Sequence, residues 1–245
     1  MLNAFLWGLI ASSSLLIGGL LGIKLSISKR VLGAIMAFGA GTLISTVAYE
    51  LILDSVKISL GTGATAAGFL GGAAVFFLCD RWVEKLGAQG RKSIDAAQPS
   101  SMVTPLVLGI VLDGIPESTV IGLSILQGGA VSVSMLIAVF VSNLPEAIAS
   151  TTGMKAGNWD AKKILMLWLV IAIVCACASG AGYALLGNAP ETWLAFINAF
   201  AAGAILMMLA NTMMPEAFHH GGKLAGVFTV IGFALSVFMV LLERA

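Results

Sequence analysis

Charge is what this sequence has least of. Asp, Glu, Lys and Arg make up only 10% of its 245 residues, while 59% are apolar and the mean hydropathy is +1.02. Soluble globular chains carry roughly 25% charged residues, so the composition excludes that class and indicates a polytopic membrane protein. The net charge is +1, and no Lys/Arg tract with interleaved aromatics occurs, which argues against a nucleic-acid partner. Cysteine is scarce: Cys79, Cys175 and Cys177 all lie in or beside apolar segments, which excludes a disulfide framework or a structural zinc site. They read as small residues packing between helices, with Cys175 and Cys177 keeping a lesser claim as soft ligands. The two histidines, His219 and His220, are adjacent. No HExxH pair or evident nucleophile is present, which leaves an intramembrane enzyme without its machinery. The N-terminus lacks the basic segment of a signal peptide, so its first apolar run reads as a retained helix.

Long apolar runs are what the chain has instead. Windows of about 20 residues predict an all-α protein of eight transmembrane helices, near 5–23, 31–54, 60–80, 103–126, 130–153, 164–187, 193–216 and 223–242. Residues 1–245 read as a single transmembrane domain, interrupted by one long polar loop, 81–101, expected to be cytoplasmic and mobile. The thirteen Lys and Arg residues divide unevenly, with eleven after odd-numbered helices and only Lys57 and Arg244 on the other side. The positive-inside rule then places the eleven in the cytoplasm and both termini outside. The expected location is the plasma membrane, a bacterial inner membrane in particular.

The chain also repeats itself. Residues 37–55 resemble residues 199–217 at an offset of 162, with Ala37/Ala199, Phe38/Phe200, Ala40/Ala202, Gly41/Gly203 and Ala48/Ala210 identical. The two helices run oppositely, as expected of an inverted repeat arranged as three helices, a central pair and three more. Small-residue packing motifs recurring in apolar sequence would account for the glycines and alanines. They would not account for the central pair, where Pro116-Glu117 and Pro145-Glu146 match at an offset of 29.

These Pro-Glu steps carry the strongest functional signal. A charged side chain at mid-membrane costs about 2.5–3.5 kcal/mol on insertion scales, so two of them point to a function. Each proline also frees the carbonyl four residues earlier, a potential ligand. Asp113 and Glu117 share one helix face, as do Ser142 and Glu146, and Asn143 lies three residues before Glu146. If the faces meet, three carboxylates, an amide oxygen and a hydroxyl converge with no lysine or arginine in either helix. Three anions in a low-dielectric site repel one another, and a divalent cation is the economical partner, with protons as its competitor. The alternative is that the glutamates are protonated and hydrogen-bonded across the helix interface as structural glue.

With both Pro-Glu helices in view, the chain resembles the ZIP family of divalent-metal transporters, as a divergent member of prokaryotic type. The family pattern is roughly H-N-x-P-E-G in the fourth helix and H/Q-N/D/E-x-P-E in the fifth. The helix count, outward termini, variable third loop and three-two-three repeat agree with it across the whole chain. The resemblance implies a metal site between helices four and five and an elevator-like alternating-access movement. Asp113 stands where the family usually has histidine, Glu117 and Glu146 on the bridging glutamates, Ser142 and Asn143 on ligand positions, and Gly114 in place of asparagine. With both intramembrane histidines replaced, the site should be harder and richer in oxygen, suiting Mn²⁺, Mg²⁺ or Ca²⁺ better than zinc. Gly114 offers no side chain and helix six no acid, so one metal is expected; Cys175 lies near the level where that acid would fall.

Access is suggested by Thr42, Thr46, Glu50 and Asp54, a stripe at steps of four whose acidic end would gather cations outside. At the other end Glu216, His219 and His220 could receive an outgoing ion. Solvated helix ends would explain both groups equally simply. The loop 81–101 has no histidine, which argues against metal sensing there. The expectation is therefore a transporter importing zinc, iron or manganese, not an enzyme. The metal is substrate, no resident cofactor is expected, and the arrangement leaves room for a homodimer. An intramembrane metal-dependent enzyme or a metal-binding receptor that does not transport are the alternatives.

Overall fold

The computed structural model describes residues 1–88 and 103–244, and these are helical with short connections and no strand among the described residues. Eight helices are long and apolar enough to cross a membrane: α1 (Leu2–Lys24), α2 (Lys29–Ile58), α3 (Ala64–Gly87), α4 (Thr104–Gln127), α5 (Val133–Ala156), α6 (Ala161–Leu186), α7 (Glu191–Gly221) and α8 (Lys223–Arg244). The chain is a multi-pass membrane protein. Hydropathy windows end the second and seventh helices at Asp54 and Glu216, but the backbone hydrogen bonding continues. Lys57, His219 and His220 therefore lie on helix rather than in loops. Residues 81–87, expected in the long loop, extend α3, which ends at Gly87 with φ 117°, a conformation that favours glycine. The rest of that loop, and the mobility expected of it, lies outside the described residues.

Two groups of helices form. In one, α1 packs on α5 and α6, and α4 packs on α6; in the other, α2 packs on α8 and α7, and α3 packs on α7. The groups meet mainly where α2 crosses α5 and where α4 meets α3 and α7. Serine caps begin two of the central helices: Ser28 Oγ accepts from the Val31 N–H, and Ser132 Oγ from the Met135 N–H. Lys155 Nζ donates to the Ile23 carbonyl at 2.7 Å, a cation placed on the C-terminus of α1, where the helix dipole favours it.

Close approach in the second group depends on glycine. A side chain on Gly41 of α2 would run into the Thr229 carbonyl of α8, and one on Gly203 of α7 into the Phe69 carbonyl of α3. The reverse contacts match as well, Gly232 against the Phe38 carbonyl and Gly72 against the Phe200 carbonyl. Gly41 and Gly203 are 162 residues apart, as are Phe38 and Phe200. The same offset separates the starts of two π-helical turns, Val47–Ile52 in α2 and Leu209–Met213 in α7.

Candidate metal centre

α4 and α5 remain helical through Pro116 and Pro145, so neither proline breaks its helix. Each ring lacks the N–H that would otherwise bond the carbonyl of Leu112 or Val141. Around this level the three sequence-predicted carboxylates are all buried, with Asp113 4%, Glu117 2% and Glu146 8% exposed. Asp113 and Gly114 of α4, Asn143, Glu146 and Ser150 of α5, and Cys175 of α6 line one small cavity, closed by Leu15, Ile110, Trp168 and Ile171. Its volume is about 10 Å³, close to the space needed for one water-sized sphere.

Helical geometry explains which residues reach it. Asn143, Glu146 and Ser150 follow the spacing i, i+3, i+7, a single stripe at 3.6 residues per turn. Ile110, Asp113 and Gly114 do the same on α4 at i, i+3, i+4. Ser142 lies about 100° around the helix from Asn143. Its hydroxyl donates to the Val139 carbonyl at 3.0 Å, and its backbone receives Gly39 of α2, so it packs α5 on α2 and does not line the cavity. Glu117 does not line it either, lying one turn further along α4. Among the described residues, no three His, Cys, Asp or Glu side chains form a group tight enough to hold an ion in this conformation. The sequence reading missed Ser150 and Trp168. Ser150 carried a signal, since it is four residues after Glu146 as Ser142 is four before it.

A second polar region opens at the end of the bundle that bears both termini. This vestibule of about 550 Å³ is lined by Glu50 and Asp54 of α2, Ser124 and Gln127 of α4, Ser132 before α5, Asn198 of α7, and Glu243 and Arg244 of α8, among others. Ser132 Oγ donates to Glu50 Oε2 at 2.5 Å, and Ser134 Oγ donates to Glu50 Oε1. Glu243 accepts the Ser134 N–H at 2.6 Å and lies 3.2 Å from both hydroxyls. Arg244 donates to Asp54 Oδ2 and to the Tyr49 carbonyl, each at 2.7 Å. Val120 and Met135 form part of the vestibule's apolar wall. Seven residues separate Asp113 from Val120, about 10 Å along α4, and Glu117 sits between them.

The remaining predicted pathway residues lie apart from the cavity. Thr46 Oγ1 donates to the Thr42 carbonyl and lies 3.3 Å from Ser236 Oγ of α8. At the far end of α7, His220 Nε2 is 3.1 Å from Glu216, and the ring nitrogens of His219 and His220 are 3.3 Å apart. Cys175 alone of that group reaches the cavity.

The fold defines a class, that of all-helical polytopic membrane proteins with eight spans, here with carboxylates buried inside the bundle. No protein-family model matches the chain. A curated protein of Arabidopsis thaliana, provisionally named a zinc transporter, is 26% identical over 189 residues. That match covers 76% of this chain but only 30% of the relative, so the chain spans about a third of that protein's length.

Proposed function

We propose that the protein is a divalent-metal transporter of the ZIP type, with its ion held between α4 and α5. The observation that carries this reading is the shared cavity of Asp113, Asn143 and Glu146, two carboxylates and an amide presented by the two Pro-Glu helices inside a membrane bundle. Buried carboxylates are stabilised by a cation, and hard oxygen donors suit a divalent one. The name of the Arabidopsis relative agrees with metal as the substrate class. Glu117 joins the set as the donors close around an ion, while Ser142 supports α5 from behind.

In this proposal the vestibule gathers ions from outside, and Glu117 relays them past Val120. The pair of matched glycine–carbonyl contacts and the π turns at the same offset support an inverted repeat. Such repeats allow alternating access by rocking one helix group against the other. The eleven cationic residues then face the cytoplasm and the vestibule faces outward, in a plasma membrane. No catalytic step is required of any residue. The test is uptake of zinc, iron and manganese into proteoliposomes by the whole chain and by Glu146→Ala. Ion-specific uptake lost in the variant supports the reading, whereas binding without uptake would make the protein a receptor.

A further inference from the structure

We infer that Cys175 supplies a sulfur donor to the cavity, so that the preferred substrates are thiophilic divalent ions, zinc and cadmium, rather than manganese or magnesium. The inference rests on the reading of the cavity as a metal site and names the substrate class of that site.

Three observations place the sulfur there. Cys175 is 1% exposed and lines the same cavity as Asp113, Asn143 and Glu146. Its Sγ is the one atom that a Cβ on Gly114 would meet, at 2.7 Å. Glycine at 114 therefore leaves the space that the thiol fills, and any side chain there would displace it. The thiol also lies beside groups outside the cavity: it shares a hydrogen bond with the Ser118 side chain, and Glu117 is close enough to interact with it electrostatically. Ser12 of α1, 1% exposed, lies beside it too, and its Oγ has no hydrogen-bond partner of good geometry among the described residues. Cys175 thus brings a donor from α6 to both the Asp113–Asn143–Glu146 cavity and the neighbourhood of Glu117. Cys177, by contrast, is exposed, and Cys79 is on α3, which does not contribute to the cavity.

The chemistry follows from ligand softness. Carboxylate and amide oxygens alone favour manganese and magnesium, whereas a thiolate shifts the same site toward zinc and its softer congener cadmium. As the metal–sulfur bond forms, the S–H proton leaves to solvent and the thiolate electron pair is donated to the ion. The loss of both intramembrane histidines is then offset by sulfur from a third helix.

The experiment uses the full chain carrying Cys79→Ser and Cys177→Ser, so that Cys175 is the sole thiol. Cadmium titration should produce the ultraviolet thiolate-to-cadmium charge-transfer band. The band should vanish in Cys175→Ser, and also in Gly114→Ala, which keeps the thiol but takes its space. The zinc-to-manganese uptake ratio should fall about tenfold in Cys175→Ser while manganese uptake persists. Cadmium binding that depends on Glu146 but shows no band, or an unchanged uptake ratio, overturns the role of Cys175 and leaves the metal site standing. If calorimetry finds no cadmium binding that Glu146→Ala weakens, the metal-site reading itself fails, and this inference with it.

Discussion

The vestibule and the buried cavity hold the same kinds of side chain in opposite circumstances. In the vestibule Glu50, Glu243 and Asp54 line an opening of about 550 Å³ and are compensated by serine hydroxyls, a backbone N–H and Arg244. In the cavity Asp113 and Glu146 face about 10 Å³, with an amide, a hydroxyl and a thiol for company and no cationic side chain in the wall. Carboxylates in an open cleft act at a distance, focusing the field and raising local cation concentration. Enclosed carboxylates act by contact, where charge is expensive to bury without an ion. One region would then set how often an ion arrives and the other which ion is held.

The comparison breaks first at its deeper member. Glu146→Ala and Glu117→Ala should each lower metal uptake about a hundredfold or more, against at most a few-fold for Glu50→Gln, measured in proteoliposomes at matched expression. Equal losses at the two depths would erase the distinction. Acid offers the next largest effect. The carboxylates must be deprotonated to bind metal and protons compete with it, so affinity declines as the solution becomes more acidic. Metal titration of the purified protein from neutral to acidic pH checks this, and a flat profile would mean the carboxylates are not the ligands.

Metal choice sharpens the contrast further. Asp113→His adds a borderline nitrogen donor and should raise the zinc-to-manganese uptake ratio severalfold, about one order of magnitude at most. Asp54→His, the same exchange in the vestibule, should leave that ratio unmoved. The smallest effect belongs to collection. Glu50→Gln with Glu243→Gln should raise KM about threefold to tenfold at low ionic strength with kcat unchanged, and the difference should shrink as salt is added.

Much of this was legible before folding was considered. Eight spans follow from hydropathy because the bilayer imposes length and apolarity on every helix. Helix ends were less legible, since Asp54, Lys57 and Glu216 stop a hydropathy window without stopping a helix. At the cavity, Asp113, Asn143 and Glu146 were readable from the Pro-Glu steps and their neighbours. The i, i+4 rule overreached because a shared face does not fix depth or neighbour: Glu117 lies one turn further along α4 than the cavity, and Ser142 is taken up in packing α5 on α2. Trp168 and the vestibule set of Ser132, Ser134 and Glu243 had no signal at all. They come from separate helices whose meeting is decided by tertiary packing, which no local spacing encodes.

The π turn in α2 has a consequence for helical phase. A π turn amounts to one residue inserted into an α-helix, absorbed locally instead of being passed along. Passed along an ordinary helix, the extra residue in Val47–Ile52 would turn everything beyond it by about 100°, swinging Asp54 away from Arg244 and re-aiming the rim of the vestibule, while Gly41 and the α2–α8 contact before the turn kept their register. The turn at Leu209–Met213 does the same for Glu216 and His220, which keep their phase with the α7 contacts before it. Each π turn therefore lets a helix carry one more residue without losing the alignment between where it packs and where its polar end points.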